Sequence, residues 1–296
     1  HLFPTAKDLS AFYHHIPEPV FETLFHTLAD EIMEEYRLPR KILIWDGQFM
    51  HSNASDYKKP GQRHYSDPDT DVATHDNKFL GVGYYCSTLY AYCGDFLIPV
   101  ECIVVPGNTS DKRQLPLAWE AYSTRISEKP KVVLSDAGPY SKALVHQFLQ
   151  EGILFLISVP KTVKKEALAI SPTGTRFLKT SVPSNWSVDD LQCVYNVRSA
   201  IERAFSHNNL VYNADILPVR TLDQAQKHRY MLLILDLLKI KTALAIGRSD
   251  LVMCSTAFSE CRGPLLPFDY QDTLRSHLST FQPSPSAVAV RRRNLR

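Results

Sequence analysis

Two short apolar runs in this chain end in the same way. Lys41-Ile42-Leu43-Ile44-Trp45-Asp46-Gly47 and Val132-Val133-Leu134-Ser135-Asp136-Ala137-Gly138 each read as a few strand-forming residues, then an aspartate, then small residues. An unbroken apolar run of this length predicts a buried strand, and the Asp with glycine behind it predicts a loop. Each strand should therefore deliver a carboxylate at its end. Residues 131–159 also alternate strand (131–135), helix (about 139–151, signalled by Pro139) and strand (Ile153 to Val159). That order predicts parallel strands joined by right-handed crossovers.

The stretch between the two runs predicts further strands. Phe79 to Tyr92 and Phe96 to Val105 are rich in aromatic and β-branched residues, with Cys93-Gly94-Asp95 as the turn between them. With 41–46 they form an expected antiparallel meander. Pro106 to Asp111 stops the strand and starts a helix over about 112–127, with Leu115, Leu117, Trp119 and Tyr122 in or near the core. The fold class is α/β, a mixed sheet of three antiparallel strands and then parallel strands, flanked by helices.

A third acid lies further along. Tyr195-Asn196-Val197-Arg198-Ser199-Ala200-Ile201-Glu202 places Tyr, Arg and Glu at i, i+3 and i+7. On one helix at about 100° per residue, these fall within roughly 60° of one another. Val194, Val197 and Ile201 would dock the other side on a core. Two aspartates at strand ends and a glutamate on a later helix form an oxygen donor set that suits Mg²⁺ or Mn²⁺.

Asp46, Asp136 and Glu202, with the Y-x2-R-x3-E pattern of Tyr195, Arg198 and Glu202, resemble the DDE transposases of the IS4-like insertion-sequence group over about residues 41–247. The resemblance implies a ribonuclease-H-like catalytic core. It implies two Mg²⁺ ions, with Mn²⁺ as a substitute. Asp46 bridges both, and Asp136 and Glu202 hold one each. It implies cleavage of a DNA strand by water, then strand transfer by a 3′-hydroxyl. The partners would be double-stranded DNA, as transposon ends and target, and a second copy in a homodimer assembled on DNA. Arg198 would grip a phosphate, and Tyr195 would stack on a base or bond a phosphate. The setting would be the bacterial cytoplasm, at the nucleoid when DNA is bound. The group's signature continues to a lysine seven residues after the glutamate, where this chain has Asn209. The readings from other classes are a ribonuclease-H-like nuclease that cuts without joining, and a catalytically silent DNA-binding remnant of a transposase.

The rest of the chain is assigned around this core. Residues 1–40 are expected to be a helical lead-in, with a short helix from Thr5 to His15 and a clear 3.6-residue period from Val20 to Tyr36. Residues 47–77 are polar and predict a long loop, in which Lys58, Lys59, Arg63 and His64 either touch a phosphate backbone or face solvent. Asp67-Pro68-Asp69-Thr70-Asp71 has calcium-loop spacing at its start but lacks the required glycine (Val72) and glutamate (Lys78), so it reads as turn chemistry. Residues 160–190 read as a short insertion before the Glu202 helix. Its Lys161, Lys164 and Lys165 either line the DNA channel or form a solvated face. Thr221 to Ile246 reads as one long helix with Gly247 as its cap. Residues 248–296 form an extension whose tail, 282–296, carries Arg291, Arg292, Arg293 and Arg296 and is expected to be disordered and to bind DNA non-specifically.

A formal charge of +2 over 296 residues does not announce nucleic acid, so any DNA surface must come from local basic clusters. There is no charged start before an apolar segment and no apolar stretch of about 18 residues, which leads to an expectation of no membrane and a reducing cytoplasm. A chain starting at His1 is expected to be a fragment, lacking end-binding elements upstream. The six cysteines, at 86, 93, 102, 193, 254 and 261, form no C-x-x-C and read as scattered buried thiols.

Overall fold

In the computed structural model, the strand expected to stop at Asp46 runs on. It covers Ile42–Ser52 (β1). The cause is its neighbour, Lys78–Tyr92 (β5), which pairs antiparallel with β1 from Leu43↔Ala91 to His51↔Gly83 and so supplies a ladder well beyond the Asp-Gly dipeptide. The backbones close tightly at the far end: a Cβ at Gly83 would sit 2.0 Å from the Met50 carbonyl oxygen. The structure describes residues 13, 15–54, 56–59, 62–75, 78–183, 185–212 and 214–253. Residues 21–253 lie within one compact unit. The expected helix at Thr5–His15 and the arginine tail fall outside the described residues but for Tyr13 and His15, as do Cys254 and Cys261.

The helix Glu18–Glu35 (α1) buries Phe25, Leu28, Ala29, Ile32 and Met33, the 3.6-residue stripe seen in the sequence. After β1 the polar stretch is not one loop. It holds Asp56–Lys59 (β2) paired with Gln62–Tyr65 (β3), and then Asp71–His75 (β4), which adds to β5. Leu97–Pro106 (β6) pairs with β5 as expected, and Asp111–Arg125 (α2) follows. Val132–Ser135 (β7) and Leu154–Ile157 (β8) flank the helix Lys142–Gln150 (α3), and both pairings are parallel, β7 with β1 and β8 with β7. Helix α3 begins at Lys142 and not at Pro139, because the Ser141 side chain accepts from the Leu144 amide and sets the first turn there.

Among the described residues one sheet carries seven strands. The path β4-β5-β1-β7-β8 is joined by β6 on β5 and by Ile216–Leu217 (β11) on β1. The order β6-β5-β1-β7-β8, antiparallel first and parallel after, is the mixed sheet expected from the sequence. The insertion carries a two-stranded sheet, Leu168–Ile170 (β9) against Arg176–Leu178 (β10).

The segment carrying the glutamate departs from expectation. It is two helices, Val188–Asn196 (α4) and Ser199–Tyr212 (α5), with Val197 and Arg198 in a turn between them. Around the break Val197 bonds back to Val194, Arg198 to Tyr195, Ala200 to Val197 and Ile201 to Arg198, an i to i−3 pattern that winds the chain more tightly than an α-helix. Tyr195 and Glu202 therefore belong to different helices. The long helix Leu222–Ala245 (α6) lies where the sequence put it, and Gly247 takes the left-handed φ of 70° that ends it. The acid turn before β4 closes its other end. Asp67 accepts from the Thr221 amide at 3.0 Å, and Asp69 from Leu222 at 3.1 Å. No helix among the described residues is long and apolar enough to cross a membrane.

Candidate active site

Strand register sets the two aspartates side by side. Ile42, Leu43 and Ile44 of β1 pair with Val132, Val133 and Leu134 of β7, so two residues on, Asp46 stands level with Asp136. Their side chains are fixed locally. Asp46 Oδ1 accepts from the Gly47 amide at 2.8 Å, and Asp136 Oδ1 accepts from the Gly138 amide at 3.0 Å. Burial first, and then the negative charge of Asp136, push Asp46 up to about 7, against the pull of the Gly47 amide and Arg198. The Arg198 charge offsets the burial of Asp46 only in part.

Tyr195 reaches the same level by another register. Ser135 pairs with Ile157, which puts Ser158 beside Asp136, and Tyr195 hydrogen-bonds with Ser158. Its ring meets Phe177 of β10 edge-on at 5.4 Å between centroids. Burial raises the Tyr195 hydroxyl pKa. Arg198 lies with its guanidinium 6.0 Å from the centre of that ring, and its charge acts on Asp46.

Glu202 does not join the aspartates in this structure. Its Oε1 accepts from Arg198 Nη2 at 2.7 Å, and its side chain is 60% exposed. Among the described residues, no three His, Cys, Asp or Glu side chains are arranged to hold one metal ion. The donor chemistry of Asp46 and Asp136 suits a hard cation, while the third acid is occupied by the arginine. Asn209, at the position of the signature lysine, has a structural role: its Oδ1 accepts from Gln48 Nε2 at 2.5 Å, tying α5 to β1. Lys161, Lys164 and Lys165 are all exposed, in the segment that follows β8. The side chains of Lys58, Lys59, Arg63 and His64 lie outside the described residues. Cys86 and Cys102 are buried, whereas Cys193 is exposed, so the expectation of buried thiols fails there.

The sequence reading missed one feature of the site. Asp111, in the first turn of α2, is among the charges acting on Asp46. An acid there is ordinary helix chemistry, so nothing in the local sequence set it apart.

The family model described as the transposase DDE domain matches residues 37–237. The chain belongs to the DDE transposase family. Two solved structures are similar to this chain at 12% identity. The crystal structure of the Mos1 strand transfer complex has a TM-score of 0.24 over 78% of this chain and 63% of that one. The Mos1 transposase paired-end complex with left transposon end has a TM-score of 0.22 over 74% and 61%. The chain thus spans less than two thirds of the length of either. No curated protein matches it.

Proposed function

We propose that this chain catalyses DNA transposition of an insertion sequence of the IS4-like group, by divalent-metal-dependent strand cleavage and strand transfer. The observation that carries the reading is the Asp46–Asp136 pair, set level by the β1–β7 register, where burial first and then the charge of Asp136 lift Asp46 to about 7. The proposed body is residues 41–247, with 1–40 as lead-in and 248–296 as a basic extension. Asp46, Asp136 and Glu202 would hold the divalent ions, Mg²⁺ or Mn²⁺. Bound there, the ions would lower the pKa of the attacking oxygen's proton and stabilise the leaving oxygen at phosphorus.

The chain's own groups do the rest. Arg198 offers a planar fork to a phosphate oxygen, and phosphate binding there frees Glu202 to turn toward the aspartates. The bond to be given up is a part-exposed i,i+4 pair of the kind worth about 0.3–0.5 kcal/mol in water, so a phosphate competes with it easily. Tyr195 holds the Arg198 side of the pocket against β8 and presents its ring to DNA. Lys161, Lys164 and Lys165 lie along the DNA path. The working form is a homodimer on DNA, in the bacterial cytoplasm.

The test uses a supercoiled plasmid carrying the DNA that flanks the gene on both sides. With Mg²⁺ or Mn²⁺ the protein is expected to cut at the element boundaries and join the ends to a target. Asp46→Asn, Asp136→Asn and Glu202→Gln should each lower both steps by roughly 10²-fold or more, the scale of losing a positioned charge-stabilising group. An Asp136→Asn protein that still cleaves ends would sink the mechanism. Cutting with no joining would identify a nuclease.

A further inference from the structure

The long helix α6 is apolar on more sides than its own chain covers. Leu233, Leu237 and Ile240 face the core and are buried. Turned away from them, Leu235 and Leu238 are each 44% exposed, with a half-buried Met231 before them and an exposed Thr242 and Ala245 after them. A helix that is apolar all round is ordinarily buried all round. Here one strip of it faces solvent.

The strip has a regular spacing. From Met231 the steps are 4, 3, 4 and 3 residues, to Leu235, Leu238, Thr242 and Ala245. That alternation is the seam of a two-helix coiled coil. The four residues from Met231 to Thr242 are also symmetric about the point midway between Leu235 and Leu238. A second copy of the helix, running the opposite way about a two-fold axis at that point, sets Leu235 of one copy against Leu238 of the other, and Met231 against Thr242. A two-fold interface requires such self-complementarity. The two lysines that flank the seam are held by their own chain. Lys239 Nζ lies 2.6 Å from His207 Nε2, and Lys241 Nζ donates to Glu31 at 3.1 Å, with Glu35 at 3.5 Å. Like helices can therefore meet without pressing free charges of one sign together, and the Lys241–Glu31 pair forms the polar rim that interfaces carry. Leu24, 49% exposed and two turns before Glu31 on the same side of α1, extends the apolar surface onto that helix.

We infer that the exposed strip of α6 is the face on which two copies of this chain associate, helix against helix and antiparallel, before any DNA is bound. The pairing needs neither metal nor DNA, so it stands or falls separately from the chemistry proposed above. Two copies joined in this way bring two catalytic centres to the DNA together.

The experiment is analytical ultracentrifugation of the full chain without DNA, from about 1 to 100 μM, a range in which an association of micromolar Kd is seen to build up. The parent is expected to be dimeric at the upper end. Leu235→Glu with Leu238→Glu sets acids against acids across the axis. It should raise the dimer Kd by about 100-fold or more, about tenfold for each leucine lost from the seam. Ile170→Glu, at a residue of β9 that is 46% exposed and off the strip, is the control and should associate as the parent does. Direction is read with a short bifunctional maleimide in chains that also carry Cys193→Ser. Leu238→Cys should cross-link, its two copies lying about 4–5 Å apart along the axis, whereas Met231→Cys, at about 16 Å, should not. The cross-link decides the matter even if the double variant fails to fold. A parent that stays monomeric at the highest concentration overturns the inference, as does a double variant that still dimerises, or cross-linking at Met231 in place of Leu238. A urea midpoint lowered by the double variant where the parent is monomeric would mean that the chain covers the strip itself, and would overturn it too. A monomer that still cuts element ends with Mg²⁺ overturns this inference alone, and a dimer that cuts nothing overturns the proposed function alone.

Discussion

Asp46 carries a liability that only its function explains. Its carboxyl stands at about 7 in the fold, against about 3.9 for an unfolded carboxylate. Between those values the folded chain keeps a proton that the unfolded chain has released, so stability falls as pH rises through that window. The contribution is complete below about pH 4 and gone above about pH 7. Asp46→Asn removes the buried charge and should be more stable than the parent at pH 8 by about 1–3 kcal/mol, less than the full three-unit shift because the site relaxes. The gap should close toward zero at pH 4. Urea unfolding at the two pH values reads this directly, and a gap of equal size at both would refute the argument. Asp46 and Asp136 were legible as a pair because strand, acid and small residue is a local pattern. Asp111 was not, because it acts on Asp46 from another element.

At the scale of elements, the strands and helices were legible where one apolar period dominated, as in α1, α6, β7 and β8. They were misread where pairing supplied the order. Strand β1 continues through an Asp-Gly dipeptide because β5 is there to pair with it, and the polar stretch after it holds strands because β2 and β3 pair with each other and β4 pairs with β5. The break between α4 and α5 was hidden because Val197 and Arg198 suit a helix by propensity. The acid turn at 67–71 reads locally as turn chemistry, but its partner lies 154 residues away in sequence. Asp67 is fully buried and accepts from both the Tyr84 hydroxyl (2.7 Å) and the Thr221 amide, so it fastens the start of α6 to β5. Asp67→Ala strands both donors and should lower stability by about 2–4 kcal/mol, while Asp67→Asn, which keeps one acceptor oxygen, should cost less. The comparison is made by denaturant midpoint. Equal losses in the two variants would mean that volume, not acceptance, is what the site needs.

For the whole molecule, the sheet order followed from β-α-β alternation and an antiparallel meander, and that order alone brings residues as distant as 46 and 136 to one level. What the sequence did not show is where Glu202 rests without DNA, since that depends on which charge Arg198 meets first. A net charge of +2 raises the same question for the DNA itself. With no general attraction, binding must be concentrated in a few contacts, and each phosphate neutralised on duplex DNA contributes about 0.9 to the slope of log affinity against log salt. If Lys161, Lys164 and Lys165, which follow β8 on the side where Tyr195 meets Ser158, all contact phosphates, replacing the three by Ala should make that slope shallower by about 3. Cleavage at saturating DNA should stay close to the parent's, because none of the three is among the charges that move Asp46. Fluorescence anisotropy across a salt series measures the slope. A slope unchanged by the triple substitution would assign these lysines to the solvated surface and move the search for the DNA path to Arg203 and His207, which line an open groove of about 530 Å³ along α5 beside Glu202.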